Sequence, residues 1–323
     1  MDTERLLILH DRPREVIDVI SQRLPGLQML AATAPEAVPS ALASHHPTIV
    51  FSIKHGGFPG PAHRPAVLHP SVRWFHVGGS GVEHLSPWPA RVQVTNSAGV
   101  LAPFLAETAL AAMLSLSTGL HRYGDDQRQR VWAPRRFRPL AGRTLLIVGL
   151  GSTGGALAEH ARSLGMRVVG IRESGASHPA ADAVHLPAAL DELLPHADVV
   201  SLHVRHTRQT HGLMGRGALA RMKPGALLLN SSRGGVVDQD ALRDALQAGH
   251  LGGAWLDVFE REPLPEDDPL WSMPGVIITP HAADLVTDFP ARFAHRFCDL
   301  FGHYRAGTPL PVVASPDMAD IPG

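Results

Sequence analysis

The sequence predicts an α/β protein made of two doubly wound parallel-sheet domains with a cleft between them. Three observations predict it. Short apolar runs alternate with helical patterns along the chain, the sign of parallel strands with helices on both faces. One run, Thr144–Val148, ends in Gly149-x-Gly151-x-x-Gly154 and leads into an alanine-rich helical stretch, Ala156–Leu164. At 323 residues, 44% of them hydrophobic, the chain has the length of two domains and the material for a sizeable core.

The first block opens with a strand at Arg5–Leu9. Pro13 starts a helix reaching about Leu24. Strands follow at Leu27–Ala31 and Thr48–Ser52, with a short helix near Glu36–Ala43. Val72–Val77 is a strand ending in Gly78-Gly79-Ser80-Gly81, and Val92–Thr95 closes the block. Ala102–Leu120 is a long helix with Pro103 near its start, where proline is tolerated. Gly124–Leu140, rich in arginine and proline, reads as an irregular connection. The second block places strands at Thr144–Val148, Arg167–Ile171, Asp198–Leu202, Ala226–Asn230, Gly253–Val258 and Val276–Ile278. Six strands is the number expected of a Rossmann-like dinucleotide-binding sheet. Between them the clearest helix is Val237–Ala248. After Asp284 only one helix, Phe289–Tyr304, and a proline-rich tail remain. One helix cannot make a domain, so it should pack back on one of the two.

Bulk properties exclude several classes. A net charge of −1 gives no reason to expect nucleic acid as a partner. The basic residues are arginines apart from Lys54 and Lys223, a skew that fits genome base composition. The single cysteine, Cys298, excludes an intrachain disulfide and a cysteine-based zinc cluster. The N-terminus is no signal peptide and no stretch has the length of a membrane span, so a cytoplasmic protein without a membrane partner is expected. The twenty histidines are scattered, without metal-ligand spacing, and no metal is expected.

The three glycines have separate physical jobs. One permits the tight turn, one lets a pyrophosphate approach the backbone, and one lets helix and strand pack closely. Free amides and the dipole at the helix start then hold the anion. Cofactor choice falls to the residue about twenty positions beyond the glycines. Arg172 stands there and suits the 2′-phosphate of NADP(H), with Ser174 as a helper. NADP(H) is thus favoured over NAD(H). The alternative is a solvated Arg172 with Glu173 reading the ribose of NAD.

Several further stretches resemble the D-2-hydroxyacid dehydrogenases. They are Leu229-Asn-Ser-Ser-Arg233-Gly-Gly, Gly253-Ala-Trp-Leu-Asp257-Val-Phe-Glu-Arg-Glu262-Pro, Pro269-Leu-Trp and Thr279-Pro-His281. His203, Asn96-x-x-Gly99, Ala106-Glu107 and Gly79-Ser-Gly-Val-Glu-His84 extend the match over nearly the whole chain. The resemblance implies hydride transfer between NAD(P)H and a small 2-keto or D-2-hydroxy acid, of the glyoxylate/hydroxypyruvate reductase type. It implies Arg233, Glu262 and His281 as catalytic residues. Arg233 offers a planar fork for a carboxylate and its adjacent ketone. His281 would be the acid in reduction and the base in oxidation, and Glu262 would keep it charged.

The resemblance also implies a cofactor path along Gly149, Gly151, Ser152, Thr153, Gly154, Arg172, His203, Ser231, Ser232 and Asp257. Asp257 would contact the nicotinamide side or serve as a turn aspartate. The hydroxyls of Ser152 and Thr153 could instead cap the helix. Ser80 and Gly81 resemble the clamp for the substrate carboxylate. Lys54 is either a residue facing the substrate or a solvated lysine. Residues 100–284 would form the dinucleotide-binding domain, and residues 1–99 with 285–323 the substrate domain. The helix from Ala102 would support a homodimer.

The chain departs from the family pattern at some positions. Ser152-Thr153 replaces the usual Arg-Ile, Arg205-His206 replaces Pro-Leu, Gly275 replaces Asn and Glu83 replaces Asp. Arg205 and His206 would either add charge near the cofactor edge or simply be exposed. Glu262 argues against formate dehydrogenase, whose histidine pairs with glutamine. Two other readings remain: a phosphite-type dehydrogenase using Lys54, and a nucleotide-sensing binding protein of the C-terminal-binding-protein kind.

Overall fold

The protein is described from a computed structural model covering residues 4–311 and 314. The chain divides into two compact units, one running to Leu101 and resuming at Val286, the other Ala102–Leu285.

In the first unit five strands form a parallel sheet: β1 (Arg5–Leu9), β2 (Gln28–Ala32), β3 (Ile49–Ile53), β4 (Trp74–Gly78) and β5 (Gln93–Asn96). Their order is β2-β1-β3-β4-β5. β3 and β4 are buried along their whole length and read as near-continuous apolar runs, interrupted by Ser52 and His76, as strands covered on both faces do. Helix Phe289–Ala306 packs against this sheet. Phe297 stacks on Trp74 at 4.9 Å between ring centroids and meets Phe51 edge-on at 5.6 Å. Cys298, on the same helix, is buried. The strand order reverses between β1 and β3, and the carboxyl ends of strands at such a point form a natural ligand crevice.

The second unit holds seven parallel strands: β6 (Thr144–Val148), β7 (Arg167–Ile171), β8 (Ala183–His185), β9 (Val199–Leu202), β10 (Leu227–Asn230), β11 (Gly253–Leu256) and β12 (Val276–Ile278). The order β12-β11-β10-β9-β6-β7-β8 is the doubly wound dinucleotide-binding order with one strand added. Alternate residues face opposite layers. Leu146, Val148, Val200, Leu228 and Ala254 join one core; Leu145, Ile147, Val199, Leu229 and Trp255 join the other.

Two expectations need correction. The sheet has seven strands, because β8 escaped the sequence reading. It has three half-buried residues at the sheet edge, too few to show a period. The Asp182 carboxylate anchors its start by accepting the Val168 N–H at 2.8 Å. The segment after the long helix is also more regular than expected. Helix Ala102–Thr118 stops at Gly119, whose φ of 73° is left-handed, and a second helix, Leu120–Gln129, leaves at 65°. Irregular backbone begins only after Arg130, where Asp126 holds the Arg135 fork. No single helix among the described residues is long and apolar enough to cross a membrane.

Candidate active site

The carboxyl ends of β6, β9, β10 and β11 carry most of the residues singled out from the sequence. Gly149 follows β6 with φ +98°, and a Cβ there would stand 2.5 Å from the His203 carbonyl oxygen. A Cβ on Gly154 would meet the Gly149 oxygen at 2.5 Å and Ile147 Cγ2 at 2.8 Å. Gly151 differs: a Cβ there would meet nothing within 4 Å, so the backbone faces open space. Helix Ser152–Ser163 starts at this point without a side-chain cap. Its first amides lack intrahelical partners by geometry, and positive potential gathers there. Ser152 is exposed and Thr153 half-buried. Arg172 directly follows β7; its N–H donates to the His185 carbonyl at 3.0 Å, and its side chain is partly exposed beside exposed Glu173.

His203 follows β9 with Nε2 2.8 Å from the Ser201 hydroxyl, and burial pushes its pKa down to about 4. After β10, Asn230 folds the next turn: its Oδ1 accepts from the Ser232 N–H and hydroxyl, and its Nδ2 donates to the Arg233 carbonyl at 3.1 Å. The Ser231 hydroxyl oxygen is buried and has no hydrogen-bond partner. A bare backbone at Gly151, uncapped amides and an orphaned hydroxyl fit a polar, phosphorylated cofactor.

Three chain segments converge on Arg233. Gly234 lets them do so, since a Cβ there would fall 1.9 Å from the Phe259 carbonyl. The backbone carrying Arg233 therefore lies against the segment carrying Glu262. The Glu262 carboxylate accepts the Phe259 N–H at 3.1 Å and pairs with His281 Nδ1 at 2.7 Å. His281 has a left-handed φ of 51°, uncommon outside glycine. Asp257 holds that turn. Its buried carboxylate accepts from the Thr279 hydroxyl at 2.6 Å, Ala282 N–H at 2.9 Å and Ala283 N–H at 3.1 Å, and its carbonyl accepts the His281 N–H at 2.8 Å.

The electrostatics follow from this geometry. The hydrogen bond to Glu262 raises the His281 pKa despite partial burial and the nearby Arg233 charge. Burial pushes Glu262 up, but His281, the Phe259 amide and Arg233 together hold it below the usual carboxylate range. Asp284 was not foreseen as part of this group. Burial raises its pKa, and it feels the charges of His281, Asp257 and Arg233. Its place three residues past His281 was the available signal.

Lys54, Ser80 and Gly81 belong to the first unit and lie at the carboxyl ends of β3 and β4. Lys54 and Ser80 are exposed. Gly79 has φ +115°, and the Ser80 carbonyl accepts from Asn96 Nδ2 at 2.7 Å, which fixes the glycine-rich turn.

A profile described as the D-isomer specific 2-hydroxyacid dehydrogenase NAD binding domain matches residues 110–283. A protein named glyoxylate reductase, from Korarchaeum cryptofilum (strain OPF8), is 34% identical over 259 residues, covering 77% of each chain. The chain belongs to the D-isomer specific 2-hydroxyacid dehydrogenases. Solved members share its fold. One from Aeromonas salmonicida subsp. salmonicida A449 superposes with a TM-score of 0.88 at 32% identity, covering 98% of this chain and 100% of its own. Another, from Xanthobacter autotrophicus Py2 in complex with NADPH and MES, gives a TM-score of 0.82 at 27% identity, covering 97% and 99%.

This 2-hydroxyacid dehydrogenase is an NAD(P)-dependent oxidoreductase of 2-keto and 2-hydroxy acids. The nicotinamide supplies or accepts the hydride when bound. The chain's part is to hold the acid and manage one proton. An imidazole whose protonated form a carboxylate favours, near the charge of a guanidinium, has the groups for that task.

Proposed function

We propose that the enzyme reduces small 2-keto acids of the glyoxylate/hydroxypyruvate type and prefers NADP(H). The observation that carries this reading is the 2.7 Å His281–Glu262 pair beside Arg233. Arg233 grips the substrate carboxylate and polarises the ketone. His281 gives its Nε2 proton to the oxygen that becomes the hydroxyl, and Glu262 stabilises the imidazolium before that transfer. Asp257 positions His281. Lys54 and the amides of Ser80 and Gly81 bind the substrate carboxylate.

Gly149, Gly151, Ser152, Thr153 and Gly154 form the pyrophosphate cradle. His203, Ser231 and Ser232 line the rest of the cofactor path. Residues 100–284 act as the cofactor domain, and residues 1–99 with 285–323 as the substrate domain. The preference for NADP(H) rests on Arg172 just past β7 and on the relative crystallised with NADPH. The glyoxylate reductase relative supports the substrate class.

The protein acts in the cytoplasm as a homodimer, without nucleic-acid or membrane partners. Trp132, 97% exposed, and Phe137, 56% exposed, are apolar groups that a second copy would cover. Serine at both positions should yield a monomer by light scattering; an unchanged mass would count against the dimer.

The deciding experiment is a 2-keto-acid panel, with phosphite included, assayed with both cofactors. Glyoxylate and hydroxypyruvate should be reduced fastest, and with NADPH. Arg172→Ala should lower kcat/KM for NADPH about tenfold, the effect of losing one charge-assisted contact, and spare NADH. A wild-type preference for NADH would overturn the cofactor assignment. Turnover of phosphite alone would overturn the substrate class.

A further inference from the structure

His10, Asp11 and His55 meet at the carboxyl edge of the first unit's sheet, where the order reverses between β1 and β3. Asp11 Oδ1 lies 3.1 Å from His10 Nδ1 and 3.5 Å from His55 Nε2. The two rings sit 4.7 Å apart between centroids. His10 is 4% exposed. Asp11 Oδ1 and His55 Nε2 are buried atoms without a hydrogen-bond partner. Buried polar atoms are nearly always paired, so two orphans facing each other require an explanation.

The hydrogen bonds supply one. Arg12 N–H donates to His10 Nδ1 at 2.9 Å, so that nitrogen carries a lone pair. The same lone pair faces a carboxylate oxygen at 3.1 Å. Two acceptors in that position repel unless a positive centre lies between them.

We propose that His10 Nδ1, Asp11 Oδ1 and His55 Nε2 form a site for a divalent transition-metal ion, with zinc the best fit. Tetrahedral zinc with bonds of about 2.0–2.1 Å sets its ligands roughly 3.3 Å apart. The observed separations of 3.1 and 3.5 Å bracket that spacing. Two imidazoles and one carboxylate suit zinc and leave a fourth position for water.

His55 must change tautomer to join. Gly57 N–H now donates to its Nδ1 at 3.0 Å; ligation at Nε2 moves the ring hydrogen to Nδ1 and frees that amide. Gly57 is exposed, so water takes the amide. The Arg12 N–H must likewise leave His10 Nδ1, whose one lone pair the ion would take, and exposed Arg12 can turn it to water. A Cβ at Gly57 would stand 2.6 Å from Asp11 Oδ2 and would push that carboxylate aside. The ion would clamp the residues after β1 to the turn after β3, which also carries Lys54.

The test uses the full-length protein stripped with a chelator. It is titrated with zinc chloride by calorimetry and with cobalt(II) by visible absorption. One ion per chain should bind, cobalt should show the intense bands of a tetrahedral site, and zinc should raise Tm. Asp11→Asn and His55→Ala should each weaken zinc at least tenfold and abolish the Tm rise. The His55 side chain is 23% exposed, so His55→Ala carries the test if Asp11→Asn does not fold. His211→Ala is the control, because its ring lies 3.0 Å from His206 and could bind metal adventitiously. Equal affinity in wild type and His55→Ala, or equal loss in His211→Ala, would overturn the site.

Discussion

At the carboxyl edge of the second unit's sheet, His281 holds its proton more tightly than free imidazole does. At the same edge of the first unit's sheet, His63 and His84 give theirs up: burial pushes them down to about 3 and about 4. All three rings make one short side-chain contact. His281 Nδ1 meets a carboxylate at 2.7 Å, whereas His63 Nδ1 meets the other imidazole, His84 Nε2, at 2.9 Å. The Lys54 charge adds to the depression of both. Burial and partner together therefore decide whether a histidine can act as an acid near neutral pH. His63 is fully buried beside another imidazole, whereas the His281 side chain is 49% exposed beside a carboxylate. Histidine number does not, since most of the imidazole clustering lies in the first unit.

The most damaging change should be at Arg233, the cation that makes the second edge a place for an anion. Arg233→Ala should cost about 3–5 kcal/mol, the scale of removing one partner of a desolvated charge pair. At about 1.4 kcal/mol per decade, kcat/KM should fall more than a hundredfold. A loss smaller than tenfold would remove Arg233 from the role proposed here.

Glu262→Gln would convert His281 toward the behaviour of the first-unit rings. The imidazolium is the form that donates in reduction. It is present below the raised His281 pKa and lost as pH climbs through it. Without the carboxylate that pKa should drop, and the falling limb of the reduction profile should move to lower pH. Near neutral pH the rate should drop on the order of a hundredfold, the usual worth of a positioned acid. An unmoved limb in kcat/KM against pH would mean that another group supplies the proton.

Gly234→Ala tests how the second edge is assembled. Its Cβ would collide with the Phe259 carbonyl, so the Arg233 loop must retreat from the Glu262 segment. Overpacking of this kind costs about 1–3 kcal/mol of stability. Activity should fall more than Tm alone explains, because Arg233 moves with the loop. Wild-type activity at lowered Tm would show that the close approach serves packing only.

Much of this was legible in the sequence, for physical reasons. β6 and β7 fall where their apolar runs placed them, because parallel strands covered on both faces are buried along nearly their whole length. β12 is as short and half-buried as β8, but its Val-Ile-Ile run marks it. β8 did not stand out, since its three half-buried edge residues carry no period. The resemblance pointed to Arg233, Glu262 and His281, and the structure sets the last two 2.7 Å apart although nineteen positions separate them. Asp257's grip on the His281 turn was not legible, because it depends on amides of Ala282 and Ala283 in a later segment. The meeting of His10, Asp11 and His55 was hidden for the same reason. Adjacent strands brought it about, and local spacing held no trace of it.

The smallest effect should come from His84→Asn, and it separates the two edges most cleanly. Asparagine keeps a polar group for His63 but cannot take up a proton in this range. His84 is pushed down to about 4 in the folded chain, against 6.5 as its ordinary value. Between those values the unfolded chain binds the extra proton, so stability falls as pH drops from about 6.5 toward 4. Removing the ring should flatten that fall by on the order of 1 kcal/mol, allowing for solvent screening of a partly exposed group. Thermal denaturation across this pH range would measure it, and the reduction profile should keep its limbs. A shifted catalytic limb in His84→Asn would mean that the first edge takes part in the proton transfer, and the contrast between the two edges would no longer hold.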